Sequence, residues 1–244
     1  MKILIVQVSV GKTQGYAYDT PQAQPLFKKH AMPSVEKYCA KHGYDYKLVT
    51  EYPKDYDIHY FNKNTKPLDF DYSQGSKNKC ATLIRYLHMD TEYDAVVTLD
   101  CDIYIPDHAE PLPKISGHMG VEDTGKDWGA YKSQVNCPQN KFINGGVQMV
   151  DQETGKMLSD FVKGLIVKKT PPIVVHSDQG YMNKFRSLNP ERSKVLPHKW
   201  NHMLELHPHD YTSLVPYKGI NFLHYAGGRA RAMFINDIKR GLVI

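Results

Sequence analysis

The feature that most constrains this chain is the run Asp94-Ala-Val-Val-Thr-Leu-Asp100-Cys101-Asp102-Ile103. An unbroken apolar and β-branched stretch bounded by acids has the length of a strand and lacks a helical period. A buried strand that ends in a carboxylate delivers it to the carboxyl end of a parallel sheet, where open α/β sheets bind their ligands. Asp100 and Asp102 stand at i and i+2. On extended backbone they point the same way and can share one divalent cation. Hard oxygen ligands suit magnesium or manganese. Asp-x-Asp also arises by chance on surfaces, and its place behind Val-Val-Thr-Leu is what favours the functional reading.

The rest of the chain alternates strand and helix signals, which predicts an α/β fold. Lys2 to Val10 reads as a buried first strand, followed by a loop from Gly11 to Thr20. A helix is expected from about Gln22 to His42, broken near Pro33 and ended by Gly43. Tyr44 to Thr50 alternates as a second strand. Glu51 to Gly75 is a long irregular segment, a length that is usually functional or mobile. Ser76 to Met89 has helical spacing with Ser76 as N-cap. Further strands are expected at Ile103–Ile105, His118–Glu122, Phe142–Val150 and Ile220–Tyr225. Helices are expected at Gln152–Val167 and Asp178–Ser187, and a basic helix closes the chain. At 244 residues, one large domain is the expectation.

Composition narrows the partners. The net charge of +5 suits a phosphate-bearing ligand. Lys163, Lys168 and Lys169 fit a helix C-terminus, and Arg229, Arg231, Lys239 and Arg240 form no dense stripe, so nucleic acid is not an expected partner. Tyrosines outnumber phenylalanines 17 to 8, and their amphipathic rings suit boundaries and polar ligands alike. Cys39, Cys80, Cys101 and Cys137 are scattered without a CxxC pair, which argues against a zinc site or disulfide framework. No stretch has the length of a signal peptide core or a membrane span, so a soluble cytoplasmic protein is expected.

Three further constellations each carry two readings. Asn221-Phe-Leu-His224-Tyr-Ala-Gly227-Gly228-Arg229 ends an apolar strand in a histidine. Plainly read, it is a strand end, a turn and a surface helix. Chemically read, His224 is a third metal ligand, Gly227 and Gly228 admit a phosphate, and Arg229 or Arg231 holds it. Phe142-Ile-Asn144-Gly145-Gly146-Val-Gln-Met149 is first of all a tight turn or bulge, but Asn144 beside bare backbone could bind sugar hydroxyls. In His176-Ser177-Asp178-Gln179-Gly180, Ser177 is a natural N-cap, while the sharper reading puts Asp178 and Gln179 at a reacting centre.

Taken in order, these features resemble the retaining nucleotide-sugar transferases of the GT-A fold. The similar groups are the bacterial lipopolysaccharide galactosyltransferases with glycogenin, and the plant and yeast galactosyl- and xylosyltransferases. The segments that carry the resemblance are LDCD, FINGGVQM, SDQGYMN, LPHKWN and LHYAGG, with KHGYDYKLV and SKNKCATLIRYL ahead of them. The resemblance spans about residues 1–231. It implies a GT-A-like domain, with a mostly parallel mixed sheet flanked by helices. A Rossmann-like nucleotide-sugar-binding half of about 1–105 would precede an acceptor and catalytic half of about 106–244.

It also implies roles. Asp100, Asp102 and His224 would hold Mn2+ or Mg2+. Gln7, Ser9 and Val10, with Lys79, Arg85 and Cys101, would line the nucleotide. Gly227, Arg229 and Arg231 would meet the diphosphate. Asn144, Gly145, Gly146 and Trp200 would face sugar or acceptor, and Asp178 or Gln179 would lie beneath the anomeric carbon. Relatives of the first group often carry Lys-Pro-Trp after His-x-x-Gly. Here Gly228-Arg229-Ala230-Arg231 stands instead, which passes the phosphate contact to arginine.

The implied reaction moves a sugar from a nucleoside diphosphate, with uridine favoured by the resemblance, to an acceptor hydroxyl with retention. An inverting transferase would need a base such as His176 or Asp178. A haloacid-dehalogenase-like phosphatase also uses Asp-x-Asp, but its motif usually opens the chain and its second aspartate is commonly followed by Gly-Thr. A non-catalytic nucleotide-sugar or glycan-binding module is the remaining alternative.

Overall fold

The computed structural model describes residues 1–9, 23–51, 83–123, 142–168, 177–204 and 217–244. Its centre is a six-stranded sheet built from β1 (Ile3–Val8), β2 (Asp45–Val49), β3 (Ala95–Leu99), β5 (His118–Glu122), β6 (Ile143–Asp151) and β7 (Ser193–Leu196). The strand order is β2-β1-β3-β6-β5-β7. Only β6 runs against its neighbours; the other five share one direction. A second sheet joins β4 (Ile103–Tyr104), β9 (Leu223–His224) and β8 (His202–Met203), in the order β4-β9-β8.

Period-two alternation builds the two layers. β1 sends Leu4 and Val6 to one face, where they meet Leu158 and Val162 of α4 (Gln152–Val167) and Tyr181, Met182 and Phe185 of α5 (Ser177–Leu188). Ile3 and Ile5 go to the other face with Val97, Leu99 and Met149, under Val35 and Tyr38 of α2 (Met32–His42). A third cluster joins Phe27 and Ala31 to Leu223, Tyr225 and Phe234 of α6 (Gly227–Lys239). α6 is tied down by Asp237, whose carboxylate accepts from the hydroxyls of Tyr217 and Tyr225.

The first helix departs from expectation. It does not break at Pro33. A short α1 (Ala23–Leu26) runs through a π-helical segment (Phe27–Ala31) into α2, with Pro33 in the first turn. Proline lacks an N–H and crowds the carbonyl four residues back; the wider π turn relieves both without ending the helix. Gly43 caps α2 at φ 70°, as the sequence suggested, with its N–H on the Cys39 carbonyl.

The strand expected over 220–225 is ordered only at Leu223–His224, and β7 and β8 were not foreseen. Both are short, and in β7 only Ser193 and Leu196 are buried, so neither has a readable period. The helix expected from Ser76 is described only as α3 (Ile84–Leu87). The 11–20 loop, Ser76 itself and nearly all of the 51–75 segment lie outside the described residues. Among the described residues, no helix is long and apolar enough to cross a membrane.

Candidate active site

β3 is fully buried and stops at Leu99, so Asp100 emerges at its carboxyl end. The backbone N–H of Asp100 bonds to the Gly146 carbonyl at 2.8 Å, which fixes the strand end against β6. A tight turn follows, closed by Ile103 N–H on the Asp100 carbonyl at 3.2 Å. β4 then pairs with β9 in the register Ile103 to His224, and the Tyr225 N–H reaches the Asp102 carbonyl at 3.1 Å. This antiparallel pairing carries His224, more than a hundred residues away in sequence, to the two aspartates.

His224 Nε2 lies 3.3 Å from Asp102 Oδ1 and 3.7 Å from Asp100 Oδ2. The three side chains each offer a ligand atom within 4.8 Å of the others. Asp102 Oδ1 and both His224 nitrogens are buried with no aligned hydrogen-bond partner, although they lie close enough to attract. Buried polar atoms left this way are costly, and a cation between Asp102 Oδ1 and His224 Nε2 would satisfy that pair. Two carboxylates and one imidazole fit Mn2+ or Mg2+, and the nitrogen ligand favours manganese.

The electrostatics agree with that reading. Burial pushes the Asp102 carboxyl up, but His224 beside it and Arg231 outweigh this and hold it below the usual range. Burial favours neutral His224, but Asp102, then Asp100 and Asp123, outweigh it and raise its pKa. Arg231 is buried on α6, while Arg229 in the first turn is exposed. Gly227 opens α6 at φ 83°, a left-handed backbone that favours glycine. The positive end of this helix starts three residues after His224.

Arg85 braces the site from α3. It is 4% exposed, with Nη2 on Asp100 Oδ1 at 2.6 Å and Nη1 on the Gly145 carbonyl at 2.7 Å. Gln7 of β1 donates to the Asp100 carbonyl at 2.9 Å and accepts from Tyr46 of β2 at 2.8 Å. Cys101 turns its thiol to the Val8 carbonyl at 3.3 Å. Burial, then the flanking aspartates, push that thiol up to about 12. Ser9 continues the edge, its N–H on the Val49 carbonyl.

Asn144-Gly145-Gly146 is neither a tight turn nor a loop. It lies within β6 as the bulge that the sequence offered beside the turn: the β5–β6 register breaks there, between the pairs Gly120–Gln148 and Glu122–Ile143. Bare backbone there lets His224 approach: a Cβ on Gly146 would stand 2.6 Å from His224 Nδ1. Gln179, in the first turn of α5, accepts from Gly145 N–H at 3.2 Å and donates to Asp123 at 2.9 Å. Asn144 donates to the same carboxylate at 3.3 Å.

Trp200 is buried in the core, its ring edge-on to Phe222 at 5.4 Å. Its neighbour Asn201 is the one that reaches Asn144, at 3.0 Å. Val10, Lys79 and His176 lie outside the described residues, as does the side chain of Asp178. Sequence reasoning missed Asp123 and Asn201. Asp123 ends a strand in an acid, the signal that had marked Asp100, and Asn201 closes the Leu-Pro-His-Lys-Trp-Asn segment.

No family profile and no curated protein sequence matches the chain. Solved structures do. A glycosyltransferase involved in the glycosylation of the major capsid of PBCV-1 superposes with a TM-score of 0.58 at 14% identity, over 97% of this chain and 99% of that one. The galactosyltransferase LgtC, in complex with donor and acceptor sugar analogues, gives 0.56 at 14%, over 92% and 87%. The bifunctional glycosyltransferase WbbM gives 0.50 at 15%, over 93% of this chain and 46% of that one. The mixed sheet and its helices therefore form a GT-A-type glycosyltransferase fold.

Proposed function

We propose that this protein is a metal-dependent glycosyltransferase that moves a sugar from a nucleoside-diphosphate donor to an acceptor hydroxyl. The observation that carries the reading is the convergence of Asp100, Asp102 and His224 at the end of β3, in a fold shared with glycosyltransferases. Fold likeness alone does not assign an activity, so the weight rests on this site.

A divalent cation bound there, Mn2+ or Mg2+, would supply positive charge to the diphosphate. The chain's own groups do the rest. Arg231, buried beside Asp102, and Arg229 at the start of α6 favour negative charge where the leaving group departs. Gln7 and Cys101 fix the end of β1 against the Asp100–Asp102 turn, where Ser9 and Val10 would meet the nucleotide with Lys79. Asn144 and the backbone of Gly145 and Gly146 line the sugar site, with Gln179 and Asp178 under the anomeric carbon.

In the reaction, the bond from the anomeric carbon to the phosphate oxygen breaks and one to the acceptor oxygen forms. The acceptor proton passes to the departing phosphate, so retention needs no separate base. The test is a thermal-shift screen with UDP, GDP, CMP and dTDP, each with Mn2+ and with EDTA. Metal-dependent stabilisation by one of them is expected, since a ligand that binds only the native state raises stability by mass action. No response to any of them removes the donor-site reading.

A further inference from the structure

Asp123 follows directly after β5, in no sequence motif, yet two site side chains, Gln179 and Asn144, turn towards it. It is 2% exposed, and its Oδ2 accepts from Gln179 Nε2 at 2.9 Å and from Asn144 Nδ2 at 3.3 Å. A carboxamide can present either its oxygen or its nitrogen to a neighbour, but a carboxylate only accepts. Asp123 therefore admits only the NH2 end of both amides.

The opposite end of each amide meets a backbone N–H, which only donates. Gln179 Oε1 accepts from the Gly145 N–H at 3.2 Å. Asn144 Oδ1 accepts from the Gly146 N–H at 2.7 Å and from Asn201 Nδ2 at 3.0 Å. Asn183, one turn along α5, donates to the Gln179 carbonyl at 2.8 Å and brackets Ile143 of β6 through both its N–H and its carbonyl. Constraints from β5, β6 and α5 thus select the same orientation for each amide.

We propose that Asp123 is a positioning residue that sets the polarity of the Gln179 and Asn144 carboxamides, so that Gln179 offers its oxygen end to positive charge developing on the sugar. The inference rests on the glycosyl-transfer reading and deepens it. A turned amide would aim its N–H dipole at the developing cation and oppose the reaction instead of assisting it. Asp123 acts through Gln179 and need not touch the substrate.

The experiment compares wild type, Asp123→Asn, Gln179→Glu and the double variant, at saturating Mn2+ so that charge lost near His224 does not enter. An asparagine at 123 can also donate, which lets Gln179 turn. For Asp123→Asn, kcat is expected to fall roughly tenfold or more with donor KM nearly unchanged. In the double variant the new asparagine places its NH2 where Oδ2 stood and donates to the new carboxylate, at the expense of the longer Asn144 contact that shares that position. The contact to residue 179 becomes complementary again, and part of the lost kcat returns. An Asp123→Asn enzyme with full kcat, or a double variant no better than Asp123→Asn, overturns the proposal. If Asp123→Asn fails to fold, a double variant that folds and turns over supports it, and one that stays unfolded overturns it. A wild type that neither binds nucleotide nor turns over donor removes the underlying reading, and this inference with it.

Discussion

The imidazole of His224 occupies the space that a side chain at position 146 would need: a Cβ on Gly146 would lie 2.6 Å from Nδ1 and closer still to Cε1. The glycine in β6 and the histidine in β9 are thus two halves of one fit. Gly146→Ala is expected to push the ring off the Asp100–Asp102 pair. Overpacking of this kind costs about 1–3 kcal/mol. Urea unfolding reads that loss, and Mn2+-dependent stabilisation by nucleotide should fall with it. Unchanged metal response in Gly146→Ala would mean that His224 is not a ligand.

Asp102→Asn keeps the shape of the side chain and removes its charge. It should abolish metal-dependent donor turnover while leaving a folded protein. In the wild type, Mn2+ at a hundred times its dissociation constant should add about 2.7 kcal/mol of stability, reversed by EDTA. Calorimetry with and without chelator measures both. Equal response of wild type and Asp102→Asn to Mn2+ would place the cation elsewhere.

Arg85 holds Asp100 and the Gly145 carbonyl together from a buried position. Arg85→Met should cost about 3 kcal/mol, the low end for breaking a buried pair, because the Asp100 side chain is 30% exposed. Lysine cannot reproduce the two-pronged contact, so Arg85→Lys should recover only part of the loss. Chemical denaturation of the three proteins decides it.

Much of this site could be read from the chain because its signals were local. β3 and Asp100 came from one apolar run with an acid at its end, and α4 came at its full length from helical spacing. What escaped was set by tertiary context. Asn-Gly-Gly reads equally as a turn or a bulge, and only the register of β5 against β6 decides for the bulge. Asp123 looks like any acid after a strand until burial and two amides identify it. Trp200 carries a ligand-like side chain, but its ring completes the core against Phe222.

Stability should fall with acid below pH 6.5. His118 is buried between Arg186 and Gln148; burial, then the charge of Arg186, lowers its pKa well below the ordinary value. A histidine with a depressed folded pKa contributes stability above its unfolded value of about 6.5, which is lost as pH falls towards the folded one, at up to about 1.4 kcal/mol per unit. His88, lowered by burial and Lys47 to about 4, adds a second such term. His224 shifts the other way, so its contribution is already complete below 6.5 and adds no slope there. His118→Gln should flatten the unfolding free energy between pH 6.5 and 5. An unchanged slope would assign the acid sensitivity to other groups.

The π-helical segment at Phe27–Ala31 has a consequence for how the molecule comes apart. By carrying the helix unbroken past Pro33, it joins Phe27 and Ala31, packed with the small sheet and α6, to Val35, Tyr38 and Cys39 further along, packed against the main sheet. One rod is thus shared by both surfaces, so neither apolar cluster can be opened without stripping the same helix from the other. The two sheets are thereby coupled into one unfolding unit, and the pairing of β4 with β9 that brings His224 to Asp102 lies within it.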